Sequence, residues 1–152
     1  MKKLFVLIGI ISLIVFGLTA ESYAQKGAFK WKGSGGWGPG TPYNKMYDPS
    51  KVETLSGTVE NITLLVPMKG MYSGVAVTLK TDKETIPVHL GPEWYISRLD
   101  MKFEKGDTIE VKGARATFAG KPAIIAKEVK KGDNVLVLRD DAGIPVWAGW
   151  RR

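Results

Sequence analysis

The chain has 152 residues, a formal net charge of +7, 44% hydrophobic and 24% charged residues, a composition typical of one folded domain rather than of a disordered protein. It contains no cysteine and one histidine, His89. The lack of cysteine excludes disulfides, thiolate metal sites and c-type haem attachment, and a single histidine excludes a multi-histidine zinc or haem centre. A serine-histidine-aspartate enzyme is possible only through His89.

Residues 1–24 have the pattern of a secretory signal peptide. Two lysines precede an apolar run, and the small residues around Ala24 suit cleavage after that position. The apolar run, Leu4 to Leu18, is about 15 residues long and so shorter than the ~20 that a membrane-spanning helix needs. We therefore expect a cleaved signal peptide and an exported protein, with an uncleaved membrane anchor as the alternative.

Residues 25–50 are rich in glycine, proline and aromatic side chains. The stretch 33–40, GSGGWGPG, cannot sustain a helix or a strand. This composition predicts a flexible arm, tacked onto the domain through its aromatic side chains. Those side chains are Phe29, Trp31, Trp37, Tyr43 and Tyr47.

Residues 51–139 alternate between apolar and polar side chains in the way that predicts a small β-barrel. Strands are expected at 52–66, 74–81, 84–90, 108–118, 122–129 and 134–139, with a short helix at 93–99. Three strands, a helix and two further strands is the order of an OB-fold barrel. An SH3-like barrel or another small barrel is the alternative.

Three positions in the predicted strands point to irregular geometry. The first strand changes phase near Glu60-Asn61, which predicts a β-bulge there. Gly57 and Gly113 are each expected at a strand bend or bulge where a side chain is disfavoured.

Several short motifs, taken as a set, resemble a known family. They are GWG at 36–38, YNKMYDP at 43–49, PMKGM at 67–71, HLGPEWY at 89–95, GKPA at 120–123, and the tail from RDD at 139–141 to WAGWRR at 147–152. The set resembles small secreted bacterial proteins of the magnetosome-associated MamS/MamX domain group, often labelled hypothetical or DNA-binding. It is more distantly similar to YdeI-type periplasmic OB-fold proteins. The resemblance implies an OB fold and a periplasmic or secreted location. It implies no activity, and the haem motifs of MamX-type relatives are missing because this chain has no cysteine.

The candidate ligand-binding residues lie around the first hairpin loop and the start of the helix. They are Lys69, His89, Glu93 and Trp94. Side chains alternate between the two faces of a strand, and Ile86, Val88 and Leu90 are expected to face the core. His89 then lies on the other, outer face, which OB barrels use for ligands. The helix start just beyond it offers backbone N–H donors to an anionic group. The alternative is a surface histidine that bonds only to Glu93 or a turn carbonyl.

Met68, Met71 and His89 form a candidate metal site. Two thioethers and an imidazole are soft ligands of the kind that bind Cu(I). The alternative is that both methionines pack over the barrel rim and fill gaps.

The leading functional prediction is a non-catalytic OB-fold module that binds a protein partner or a small ligand in the envelope, as an accessory to redox or metal proteins. No nucleophile elbow, phosphate loop or multi-residue metal motif is present, so neither catalytic residues nor a cofactor are predicted. Copper binding is one alternative and oligonucleotide or polyanion binding another. Nucleic acid is the less expected partner because residues 74–90 carry no aromatic side chain for stacking.

The C-terminal residues 140–152 form an aromatic-basic tail. It is expected either to stack on a partner, to lie at a membrane interface, or to fold back on the barrel. Contact with a membrane is otherwise expected only through the signal peptide.

Overall fold

The computed structural model of the protein describes residues 33–149. The predicted signal peptide, residues 25–32 of the predicted arm, and Trp150 with the two final arginines lie outside the described residues.

Six strands form one mostly antiparallel sheet. They are β1 (Val52–Leu65), β2 (Gly74–Lys80), β3 (Thr85–Pro92), β4 (Thr108–Phe118), β5 (Lys121–Lys131) and β6 (Asn134–Val137), with helix α1 (Glu93–Ile96) between β3 and β4. The strand order is β3-β2-β1-β4-β5-β6, and β3 also pairs in parallel with β5. The predicted all-β class is confirmed, and the helix lies between the third and fourth strands as predicted.

Helix α1 is shorter than predicted. Between residues 33 and 149 it is the one α-helix with regular backbone angles, and the other helical segments are 3-10 turns or the left-handed turn at Gly33–Gly36. Pro92 precedes α1 in an extended conformation, and Ser97 ends it. Nothing in this part of the chain is a helix long and apolar enough to cross a membrane.

Strand β1 is long because it pairs with two strands in turn. Residues 52–58 pair with β4 and residues 58–65 pair with β2. The register on β2 shifts between Val59 and Asn61, which confirms the predicted bulge. A bulge bends the strand that carries it, and this one lies next to the point where β1 changes from pairing with β4 to pairing with β2 alone.

Gly57 and Gly113 both lie where a side chain has no room. A Cβ on Gly113 would be 2.4 Å from the carbonyl oxygen of Ile125, and one on Gly57 would be 2.3 Å from that of Lys80. The register of β4 on β5 shifts between Lys112 and Gly113, so the predicted bulge is confirmed there. Gly57 occupies a regular position in the β1–β4 ladder. There is thus no bulge at Gly57, but the predicted exclusion of a side chain there is confirmed, because β2 approaches it closely.

Alanine at position 113 is expected to lower the free energy of unfolding by about 1–3 kcal/mol, because the overlap is with backbone that side-chain rotation cannot relieve. Urea unfolding followed by circular dichroism measures this change. Gly149→Ala is the matched control, since a Cβ there meets no atom within 4 Å. Equal midpoints for the two variants would contradict the expectation.

Aromatic side chains from both ends of the described chain complete the core. Trp37, Tyr43 and Tyr47 from the N-terminal side and Trp147 from the C-terminal side are all buried with the strand residues. The indole N–H of Trp147 donates to the carbonyl oxygen of Trp37 at 2.8 Å. Residues 33–50 are therefore held on the domain by their aromatic side chains, as the sequence indicated, rather than extending from it as an arm, and the tail folds back on the barrel as far as residue 149.

The glycines that predicted flexibility make close packing possible instead. Residues 33–36 form a left-handed turn, with φ of +70° at Gly35. A Cβ on Gly35 would lie 2.2 Å from the ring of Tyr72, and the Gly35 carbonyl accepts the Tyr72 N–H at 2.9 Å. The missing side chain thus lets this segment lie directly against the loop that follows β1.

Candidate ligand cavity and the buried histidine

His89 is buried rather than exposed. Only 4% of the residue is accessible to solvent. The Tyr43 hydroxyl lies 3.0 Å from its Nδ1, and the ring of Phe118 lies 5.0 Å from the imidazole between centroids. The predicted exposure of His89 to solvent is therefore wrong. The N-terminal segment that carries Tyr43 covers this part of β3, which strand parity alone cannot reveal.

Burial makes the Tyr43–His89 pair electrically neutral. Desolvation, reinforced by the positive charge of Arg139, lowers the pKa of His89 to about 4. Desolvation also raises the pKa of the Tyr43 hydroxyl far above its ordinary value. At neutral pH a phenol therefore meets an uncharged imidazole, and the pair contributes packing and one hydrogen bond.

Arg139 is a buried positive charge beside this pair, with 1% of the residue exposed. Its Nη1 donates to the side-chain oxygen of Asn44 and, at 3.0 Å, to the carbonyl oxygen of Gly143. The guanidinium lies 5.4 Å from the ring centroid of Tyr47 and 5.5 Å from that of Trp147, within the range of cation–π attraction. Arg139 thus connects the N-terminal segment to the C-terminal turn.

The loop predicted to bind a ligand borders a cavity of about 290 Å³. Met68, Lys69 and Met71 line one side, while Pro42 and Tyr43 line the other. Both methionines are half-buried and pack against the core, and Lys69 is exposed. The site is therefore a mostly apolar opening with one cation at its edge.

Glu93 and Trp94 do not line this cavity. The N–H of Glu93 donates to the carbonyl oxygen of Ser73 at 3.0 Å, so this helix donor is already used. Trp94 is half-buried and packs edge-on against Tyr95, with ring centroids 6.1 Å apart. Of the predicted ligand-binding residues, only Lys69 lines the cavity.

The three predicted metal ligands do not come together in one site. Met68 and Met71 line the same cavity, but His89 is absent from its wall and its Nδ1 is engaged by Tyr43. Within residues 33–149, no three histidine, aspartate or glutamate side chains are grouped to hold a metal ion. The structure therefore brings together two of the three proposed ligands.

Tyr43 is the residue of this site that the sequence prediction missed. It lines the cavity and also bonds to His89. Two features of the sequence could have identified it: the motif at 43–49 and the unusual number of aromatic side chains before β1.

A sequence profile of the MamS/MamX magnetosome protein family matches residues 51–136. That range is more than half of the chain. The chain belongs to the MamS/MamX family. The resemblance of the motifs to MamS/MamX proteins is thereby confirmed, and the more distant YdeI-type resemblance stays a prediction. No curated protein sequence matches the chain.

The MamS/MamX match spans β1 to β6 almost completely. It contains the loop at 67–71 and His89, but neither Tyr43 nor Arg139. Tyr43, which bonds to His89 and lines the cavity opposite the loop at 67–71, therefore lies outside the matched range, whereas Phe118, which also packs on His89, lies inside it.

Proposed function

We propose that this MamS/MamX protein is a non-catalytic binding module of the bacterial cell envelope, built on an OB-fold barrel, whose cavity accepts one apolar side chain of a partner protein. The observation that carries the proposal is the cavity between the loop at 67–71 and Tyr43. The export pattern in residues 1–24 supports the envelope location, and the family supports an association with magnetosomes.

The strand pairings support the OB-fold assignment. β1 pairs with β2 and β4, β2 pairs with β3, and β4 pairs with β5. The parallel pairing of β3 with β5 then joins these five strands into a closed cycle of neighbours. An OB fold is a five-stranded, partly open Greek-key barrel. In this assignment β6 is an addition to the edge of β5.

The covered face of β3 favours a small binding site over a nucleic-acid platform. OB-fold proteins bind oligonucleotides on the strands 2–3 face, with help from the neighbouring loops. Here Tyr43 and Phe118 already pack on His89 in β3. The cavity at the loop adjoins this pair, because Tyr43 both lines the cavity and bonds to His89.

The chemistry of the cavity favours an apolar group next to a negative charge. Thioether side chains adapt to apolar partners of different shape, and Tyr43 adds an aromatic wall. Lys69 contributes a cation at the edge. The cavity lies at the lower end of the range of about 300–1,000 Å³ typical of small-molecule pockets, which suits a single side chain better than a cofactor.

Methyl-labelled methionine gives a direct test by NMR. Met68 and Met71 report on the cavity, while Met46 and Met101 lie outside it. With the acetylated, amidated tripeptide Asp-Leu-Asp as probe, we expect saturable shifts of the two cavity methyls only. Met68→Gln removes an apolar wall group and should weaken binding about fivefold, which is about 1 kcal/mol.

Two further variants separate the apolar from the charged contribution. Met101→Gln is the matched control and should bind like the unmodified protein. Lys69→Glu should weaken the acidic tripeptide while leaving acetyl-leucine amide unaffected. Shifts of equal size at all four methyls, or none at saturating probe, would refute the proposal.

Copper binding is a second candidate because both thioethers line the same cavity. Thioethers favour Cu(I) among the biological transition metals. Titrating the same labelled sample with Cu(I) under anaerobic conditions distinguishes copper binding from binding of an apolar side chain. Tight binding of one equivalent of Cu(I), lost in Met68→Gln, would replace the side-chain proposal by a metal site.

A further inference from the structure

Strand β1 has an open edge beyond the barrel. β4 pairs with β1 as far as Thr58, and the backbone of Val59 bonds to the turn at 106–107. From Asn61 to Leu65, β1 pairs with β2 on one side. No other segment of the described chain pairs with its second side.

The same stretch exposes apolar side chains in alternation. Ile62 is 37% exposed, Leu64 is 60% exposed, and Val66 continues the same parity at 54%. Residues 61–66 carry no charged side chain. Natural edge strands are usually protected by charges, proline or bulges. The bulge of β1 ends at Asn61 and Pro67 follows Val66, so residues 61–66 between them are an unprotected apolar edge. Such an edge is typical of a site where another strand is added.

We propose that the edge of β1 pairs antiparallel with the same edge of a second copy of this chain, with Thr63 opposite Thr63. A two-fold axis at that position places Ile62 of each copy directly opposite Leu64 of the other. Apolar cross-strand pairs of this kind stabilise antiparallel sheets. The pairing extends the β1–β2 sheet across both copies.

The charges at the two ends of the strand favour a second, antiparallel copy of this chain as the binding partner. Glu60 stands at the start of the open edge and Lys69 in the loop beyond its end, and both are exposed. Antiparallel pairing brings the acidic end of one copy toward the basic end of the other, whereas parallel pairing would set Glu60 against Glu60. The strand is therefore electrostatically complementary to a reversed copy of itself.

This pairing is independent of the function proposed for the cavity. It uses the backbone edge of β1, whereas the cavity uses the side chains of Met68, Met71 and Tyr43. Lys69 takes part in both, so the variants at Thr63 and Leu64 are the ones that separate the two proposals. A variant that loses the dimer can therefore retain binding of the tripeptide probe, and each proposal can fail alone.

Cross-linking through an introduced cysteine tests the register, because the protein has no cysteine of its own. Facing residues in antiparallel strands have Cα atoms about 4.5–5.5 Å apart, within the disulfide range of about 4.4–6.8 Å. We expect Thr63→Cys to form a disulfide-linked dimer on mild oxidation. Ser56→Cys, exposed on the half of β1 that pairs with β4, is the control and should stay monomeric. Equal cross-linking of the two variants would overturn the proposal.

Sedimentation velocity over a range of concentrations tests the energetics. Leu64→Lys places a charge in the apolar pair and should weaken the dimer at least tenfold. Its monomer should keep its circular dichroism spectrum, because Leu64 is exposed. Glu60→Lys should weaken the dimer about threefold, the scale of an exposed ion pair, and Lys69→Glu added to it should restore the affinity. A monomer at every concentration, or a dimer insensitive to Leu64→Lys, would overturn the proposal.

Discussion

Replacing Trp37 with alanine will lower the free energy of unfolding by about 3–5 kcal/mol, the usual cost of removing a large aromatic side chain from a core. Trp37 is completely buried, and its ring lies 4.8 Å from that of Tyr43 between centroids. Its indole N–H donates to the carbonyl oxygen of Tyr72 at 2.9 Å. A Cβ on Gly74 would lie 2.2 Å from the Trp37 ring, so this part of β2 fits the indole closely.

Urea unfolding monitored by far-ultraviolet circular dichroism measures the effect without depending on tryptophan fluorescence. Val135→Ala is a suitable control because Val135 is 51% exposed on β6, and it should change stability by less than about 0.5 kcal/mol. Unchanged stability of Trp37→Ala would mean that residues 33–47 are a dispensable arm after all.

Acidification from pH 6.5 to pH 4 will remove on the order of 3 kcal/mol of stability through His89. The pKa of His89 is about 4 in the folded protein and 6.5 when the residue is unperturbed. Between these values the unfolded chain binds a proton that the folded protein does not. Stability therefore falls as the pH falls, by about 1.4 kcal/mol for each unit of pKa difference.

His89→Gln is the control for this pH dependence, because glutamine cannot be protonated and can still bond to Tyr43. Glu84, which accepts hydrogen bonds from Arg115, and Asp107, which accepts the Glu104 N–H and pairs with Lys131, have lowered pKa values. Their stabilising effect is lost as the pH falls through and below their unfolded pKa values of 4.5 and 3.8, which is at the acidic end of this range. Urea midpoints between pH 4.5 and 7 should fall in the unmodified protein and stay nearly level in the variant. The same slope in both proteins would show that His89 is not the titrating group.

Most of the strand pattern could be predicted because its causes are local. In β2 and β3, apolar residues at every second position identify the strands, and the phase change in β1 locates its bulge. Gly113 could be placed because a glycine within a strand usually marks a bulge or a close backbone approach. A side chain is excluded at Gly57 as predicted, but by the close approach of β2 from elsewhere in the chain rather than by a bulge.

The site was predicted only in part because its second wall is distant in sequence. The loop at 67–71 could be found from its composition, and the structure places Met68, Lys69 and Met71 on a cavity. The burial of His89 depends on Tyr43, which is 46 residues away, and no local pattern reports that contact. The glycines at 33–36 were interpreted as a flexible stretch, although their lack of side chains is what allows that segment to pack.

The hydrogen bond between Trp147 and Trp37 joins residues that are 110 positions apart, close to the full length of the described chain. A contact of this span cannot form before Trp147 itself has been synthesised, because both tryptophans must be present for the bond to close. Contacts of long sequence separation also slow folding, since the loop between them must be closed first. The Trp147–Trp37 bond therefore ties the beginning of the described chain to its end, and it adds to the long-range contacts that slow the folding of a β-rich domain.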